Sequence, residues 1–237
     1  MFVIVYLRIY GRALTDALVA IARNAWTLIL PIGLVLTWIT LGGLVSPLGY
    51  AGGFILSLAR SAAFSIYTYF IAQLVAKQRV GLSDFKTSIG AYFWTWINIF
   101  FVLWIIDLLL GPMRVTEDGM RLRQALSMME LIVLNAAPEV VYLKRTSGGI
   151  DTIQRSFQFL QECWIEWFVP NALVLGVIWF GITRGWELLT IVPAAGVTVP
   201  ILLGGLLHVV MVFRGYLFQM LDGSTHRQRM FKFKGSL

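Results

Sequence analysis

Hydrophobic positions follow two rhythms along this chain: unbroken apolar runs, and stretches in which apolar residues recur every three or four positions. A bilayer core takes about 20 predominantly apolar residues per helix. Six runs approach that length, near 25–43, 55–76, 91–110, 125–143, 168–184 and 192–219. The fourth carries Glu130, Asn135, Pro138 and Glu139, and the fifth is short, so five spans or a re-entrant segment also fit.

The second rhythm is clearest over residues 150–167, where Ile150, Ile153, Phe157, Leu160, Trp164 and Trp167 alternate spacings of three and four. That spacing makes one apolar stripe on a helix, and its aromatic rings suit the headgroup level. The expectation is a surface helix over 150–167 leading into the fifth span. Residues 2–23 repeat the theme: Arg8, Arg12 and Asp16 recur every four positions among Ile4, Leu7, Leu14, Leu18 and Ile21. The predicted fold is therefore all-α: a polytopic transmembrane bundle of about six spans in one domain, 1–237, with amphipathic interfacial helices before spans one and five and a basic tail, 222–237.

Composition sharpens this picture. Only 13% of residues are charged and 58% are hydrophobic, whereas soluble domains carry about 25% charge. A soluble domain on a single anchor is excluded, because no polar half could fold separately. The net charge of +7 fits cytoplasmic loops and anionic headgroups better than nucleic acid. With both termini cytoplasmic, fourteen Lys and Arg face inward and five, Arg60, Arg114, Arg121, Arg123 and Arg184, face outward. The asymmetry predicts an even number of spans with both ends inside. MFVIVYLRIYGR has neither a basic leader nor a small-residue cleavage site, and reads as retained.

The chain also echoes itself. PIGLVLTWITLG (31–42) and PNALVLGVIWFG (170–181) share Pro, Leu, Val, Leu, Ile and Gly at the same offsets, and each follows an amphipathic helix. YFIAQLVAKQ and GYLFQMLDGS match in turn, with Gln73 and Gln219 equivalent. The repeated unit is a surface helix followed by a helical hairpin, the two copies running parallel. AIARNAWTLILP, TIQRSFQFLQECWIEWFVP and the polar KQRVGLSDFKTSIG between spans two and three together resemble bacterial six-span proteins of the YciC family and the membrane domain of glycerophosphodiester phosphodiesterases. That resemblance implies a membrane module accompanying other proteins, and supplies no catalytic residues.

Candidate chemistry is sparse. There is no HExxH, GxSxG, Walker loop, paired CxxC or GxGxxG, and the lone Cys163 allows no internal disulfide. His208 and His226 lie too far apart in depth to share a metal. No enzyme, cofactor or metal is expected. Intramembrane polar groups are the lead, because a charge near the bilayer centre costs about 3 kcal/mol even on insertion scales. Depth matching pairs Arg60 with Asp107 or Glu130, and Glu139 with Arg214, leaving Asn135 and His208 nearer the middle. Glu130 and Glu139, nine residues apart, point about 180° from each other and cannot line one pore. Ser57, Ser61 and Ser65 form a small-residue ridge for close helix approach, and Pro31, Pro138, Pro170 and Pro200 should begin or kink helices. Arg227, Arg229, Lys232 and Lys234 in the tail suit lipid headgroups. These features favour a non-catalytic subunit that scaffolds or anchors a larger membrane complex, its partners being anionic lipids and other membrane subunits; the alternative is a transporter or lipid-handling permease with a polar route near Glu139 and His208.

Overall fold

A computed structural model describes residues 2–77, 79–111, 116–146, 148–191, 195–224 and 228–229, without the side chains at 2, 3, 77 and most of 173–200. The described residues are helical throughout: α1 (Phe2–Ala22), α2 (Leu30–Val45), α3 (Tyr50–Lys77), α4 (Asp84–Ala91), α5 (Phe93–Leu110), α6 (Glu117–Val133), α7 (Ala137–Lys144), α8 (Gly149–Ile191) and α9 (Ala195–Leu221). Among the described residues, five stretches are long and apolar enough to cross a membrane: Ala25–Leu48, Tyr50–Ala76, Asp84–Leu110, Glu117–Lys144 and Ile201–Leu221. The expected fifth span, 168–184, continues α8, where many side chains lie outside the described set.

The surface helix expected at 2–23 is α1, and it is less superficial than its sequence suggests. Val5, Ile9, Ala13, Ala17 and Ala20 form one buried edge, which packs chiefly along α9. Small residues at 13, 17 and 20 let the two backbones approach, while Ile4, Leu7, Leu14 and Leu18 remain exposed on the other side. The stripe expected over 150–167 divides. Leu160 and Trp167 enter the core together with Thr152, Ser156, Phe159 and Cys163, whereas Ile150, Phe157 and Trp164 stay exposed. At about 100° per residue the series 150, 157, 164 lies about 60° around the helix from the series 153, 160, 167, so the second can edge into the core while the first stays outside.

The internal echo has a backbone counterpart. In the first copy the helical path breaks at Asn24 (φ −136°, ψ 43°), two residues past α1, which opens a short 3-10 turn, Ala25–Ile29, before α2. In the second, α8 kinks at Cys163 (φ −131°, ψ 20°). Asn24 and Cys163 each stand seven residues before the matched prolines, Pro31 and Pro170. Burial follows the same register: Ala13 with Thr152, Ala17 with Ser156, Ala20 with Phe159, Ile21 with Leu160 and Thr27 with Glu166 are all buried. Each break is tied to the end of its own hairpin. The Val80 amide, just past α3, donates to Asn24 Oδ1 (2.9 Å), and Cys163 Sγ reaches the Leu221 carbonyl that closes α9 (3.9 Å). An amide in one copy and a thiol in the other hold the same bend.

Close approaches fix the hairpins. A Cβ on Gly215 would stand 2.7 Å from Val75 Cγ2 and 2.8 Å from Tyr142 Oη, and one on Gly149 would stand 2.8 Å from the Asn98 carbonyl oxygen. The serine ridge turns inward. Ser61 and Ser65 are buried, and Ser65 Oγ donates to the Ser88 carbonyl (2.8 Å) while accepting from the Tyr92 amide (2.9 Å), fastening α3 to the α4–α5 junction.

Candidate functional site

Three polar clusters knit the core together, and each arises where a helix is interrupted. The first lies at the break between α6 and α7. Pro138 lacks an amide hydrogen and begins a new helix near its own position; the Leu134 and Ala136 carbonyls still accept from the Ala137 and Val140 amides, while the Asn135 carbonyl between them turns to a side-chain donor. Arg214 of α9 supplies it. Its guanidinium grips the fully buried Glu139 by two bonds, Nε to Oε1 (2.9 Å) and Nη2 to Oε2 (3.0 Å), and also donates to the Asn135 carbonyl. The same guanidinium lies 5.0 Å from the Trp167 ring centroid, and Trp167 Nε1 donates to Asn135 Oδ1 (2.7 Å). Ser156 Oγ meets the Val133 carbonyl (2.6 Å). A bidentate pair of this kind is directional as well as strong.

The second cluster surrounds His208. Thr27 Oγ1 donates to the Asn24 carbonyl (2.8 Å) and lies 3.0 Å from His208 Nε2, while Tyr67 Oη lies 3.3 Å from Nδ1. A hydroxyl has one proton. With that proton on Asn24, Thr27 accepts from Nε2–H and Nδ1 accepts from Tyr67, so a single neutral tautomer satisfies every group. The network joins the α1–α2 break, α3 and α9.

The third cluster corrects an expectation. Arg229 does not face headgroups: it is 3% exposed and caps the end of α9, donating to the Leu221 carbonyl (3.1 Å) and the Ser224 carbonyl. Its Nη2 bonds Glu166 Oε1 (3.0 Å). Orphan carbonyls at a helix end draw a cation in this way. Pro170, inside α8, cannot donate to the carbonyl of Glu166 four residues back, and Tyr10 Oη occupies it instead (3.1 Å). Burial, followed by the nearby Glu166 charge, pushes the Tyr10 hydroxyl up to about 12. Burial likewise pushes the Cys163 thiol up to about 11, which makes it a poor nucleophile. Arg227, Lys232 and Lys234 lie outside the described residues.

The Arg60 expectation also needs correction. Asp107 is bonded to Arg123 of α6. Among the described residues Arg60 reaches no carboxylate at ion-pair distance; its guanidinium lies over the Phe100 ring, 4.1 Å from the centroid. Arg60, Asp107 and Glu130 nevertheless line one groove of about 630 Å³ between α3, α5 and α6. Arg123, counted among the outward-facing basic residues, lies on α6, sixteen residues after Asp107.

Among the described residues no three His, Cys, Asp or Glu side chains gather as a metal site. No protein-family model, curated protein or solved structure matches the chain.

Proposed function

We propose that the chain is a non-catalytic integral membrane subunit that scaffolds or anchors a larger complex, in the manner of the YciC-like membrane modules its pattern resembles. One observation supports this above others. Glu139 with Arg214, His208 with Thr27 and Tyr67, and Glu166 with Arg229 are each closed on a neighbouring helix, which gives a braced body rather than a chain of exchangeable sites. Outside that body, Trp38, Ile39, Trp94, Phe101 and Trp104 remain exposed on α2 and α5. Aromatic side chains are rigid and rich in contact area, which suits them to interfaces. Placement in a bacterial inner membrane with both termini inside belongs to the same proposal, as do headgroup contacts of Arg227, Lys232 and Lys234.

A photo-crosslinking residue at Ile39 or Trp94, exposed positions outside the grooves, activated in native membranes, should give a discrete protein adduct of fixed mass; lipid adducts alone would count against scaffolding. The competing reading, a transporter or lipid-handling permease routed near Glu139 and His208, requires Glu139→Gln and His208→Gln to abolish flux while assembly survives. On the scaffold reading the same variants lose stability first.

A further inference from the structure

We propose that the groove between α3, α5 and α6 holds the headgroup of a zwitterionic phospholipid bearing a primary amine, with its acyl chains lying in two adjoining apolar grooves. This site is separate from the braced core and does not depend on the scaffold reading.

Among the described residues, two charged groups of opposite sign in the groove have no protein counter-charge. Arg60 on the α3 wall is exposed and reaches no described carboxylate. Glu130 on the α6 wall makes no ion pair and no side-chain hydrogen bond among the described residues, because its neighbour Asp107 holds Arg123. Both charges lie within apolar membrane-crossing stretches, Tyr50–Ala76 and Glu117–Lys144. Uncompensated charge is costly there, and such groups normally pair. The groove itself is walled mainly by apolar side chains such as Phe54, Leu58, Phe101 and Trp104.

The surroundings specify the occupant. Arg60 also borders a groove of about 440 Å³ lined by Leu34, Val35, Trp38, Leu207 and Met211. Glu130 also borders one of about 270 Å³ lined by Leu103, Leu126, Met129 and Ile153. Each charge thus stands where the shared groove meets a second, apolar trough, and a two-chain lipid presents the same junction twice. A phosphate suits the guanidinium fork. An anionic headgroup with no cation would leave Glu130 beside a like charge. A quaternary ammonium cannot donate a hydrogen bond to a carboxylate, whereas a primary ammonium offers three donors for Glu130 and the Ser127 hydroxyl, which also lines the groove. The open geometry admits a lipid from the side: none of the residues of α6 is buried.

The test is native mass spectrometry of the full chain released from nanodiscs containing equal parts of phosphatidylethanolamine, phosphatidylcholine and phosphatidylglycerol. The wild type should retain one phosphatidylethanolamine by about tenfold over the other two, a difference of about 1.4 kcal/mol. Arg60→Gln should lose retention of all three, Arg60→Lys should recover part of it, and Glu130→Gln should keep retention while losing the preference for phosphatidylethanolamine over both of the other lipids. Leu207→Trp, which fills one trough without touching either charge, should weaken retention while leaving the amine preference. Equal retention of the three lipids by the wild type, or an unchanged preference in Glu130→Gln, would overturn the proposal. So would a photo-crosslinker at Ser127 that captures protein in place of lipid, or glycerophosphoethanolamine displacing the whole lipid at equal concentration.

Discussion

The two ends of the bundle treat charge in opposite ways. Around α1, α7, the first half of α8 and α9, every broken helix is closed by a side chain from another element: Arg214 on Asn135, Ser156 on Val133, Tyr10 on Glu166, Arg229 on Leu221. On α6 itself no residue is buried, and Met128, Met129 and Leu131 are each at least 60% exposed. The Asp107–Arg123 pair there is half exposed on its carboxylate side, 52%, against 0% for Glu139. The comparison teaches that ionisable residues in a span have no single meaning. Where they meet backbone left open by proline they brace helices, and where they line the groove between α3, α5 and α6 they form the recess proposed for a lipid headgroup.

The largest expected effect is at the braced end. Glu139→Ala or Arg214→Ala strands a buried partner, and should remove about 3–5 kcal/mol of stability, measured by denaturation in mild detergent. Replacing both by leucine and methionine should restore much of the loss, because a buried pair and a well-packed apolar pair differ little. Next come the close approaches. Gly215→Ala drives a methyl group against Val75 and Tyr142 and should cost about 1–3 kcal/mol, while Gly111→Ala, with nothing within 4 Å, should change the midpoint little. His208→Ala leaves Thr27 and Tyr67 without their ring partner and should cost about 1–3 kcal/mol.

Cys163 gives a smaller, pH-dependent signal. Its thiol is 1% exposed and its folded pKa, about 11, exceeds the ordinary 9.0. A raised pKa in the folded state means that the contribution to stability is fully present below the ordinary thiol range and is lost as pH climbs from about 9 towards 11. Maleimide should therefore leave Cys163 unmodified at pH 8 until the protein unfolds, and prompt labelling of the folded protein would show that the kink is open. The smallest effect belongs to the α6 end, where Asp107→Asn should cost under about 1 kcal/mol.

Much of the helical layout was readable from apolar run length alone, because a hydrocarbon solvent leaves a helix few other options. The bond between Glu139 and Arg214 was approachable by depth, since each lies a countable number of residues from its helix end. Depth does not give azimuth. Arg60 and Asp107 share a groove, yet Asp107 turns to Arg123, and only the direction in which α6 leaves its loop decides that. Arg229 reads as one more basic residue in THRQRMFKFK; its burial depends on Glu166 and the last carbonyls of α9 converging from 63 and 8 residues away. The duplicated hairpin was visible in its matched prolines, whereas the shared backbone break at Asn24 and Cys163 was hidden by unlike side chains serving one bend.

A pair of double-mutant cycles, one on Glu139 with Arg214 and one on Asp107 with Arg123, measured in the same nanodiscs, tests the contrast between the two ends most directly. The account requires a coupling of about 3 kcal/mol or more in the first cycle and under about 1 kcal/mol in the second. Equal couplings, or the larger one at Asp107 and Arg123, would contradict it.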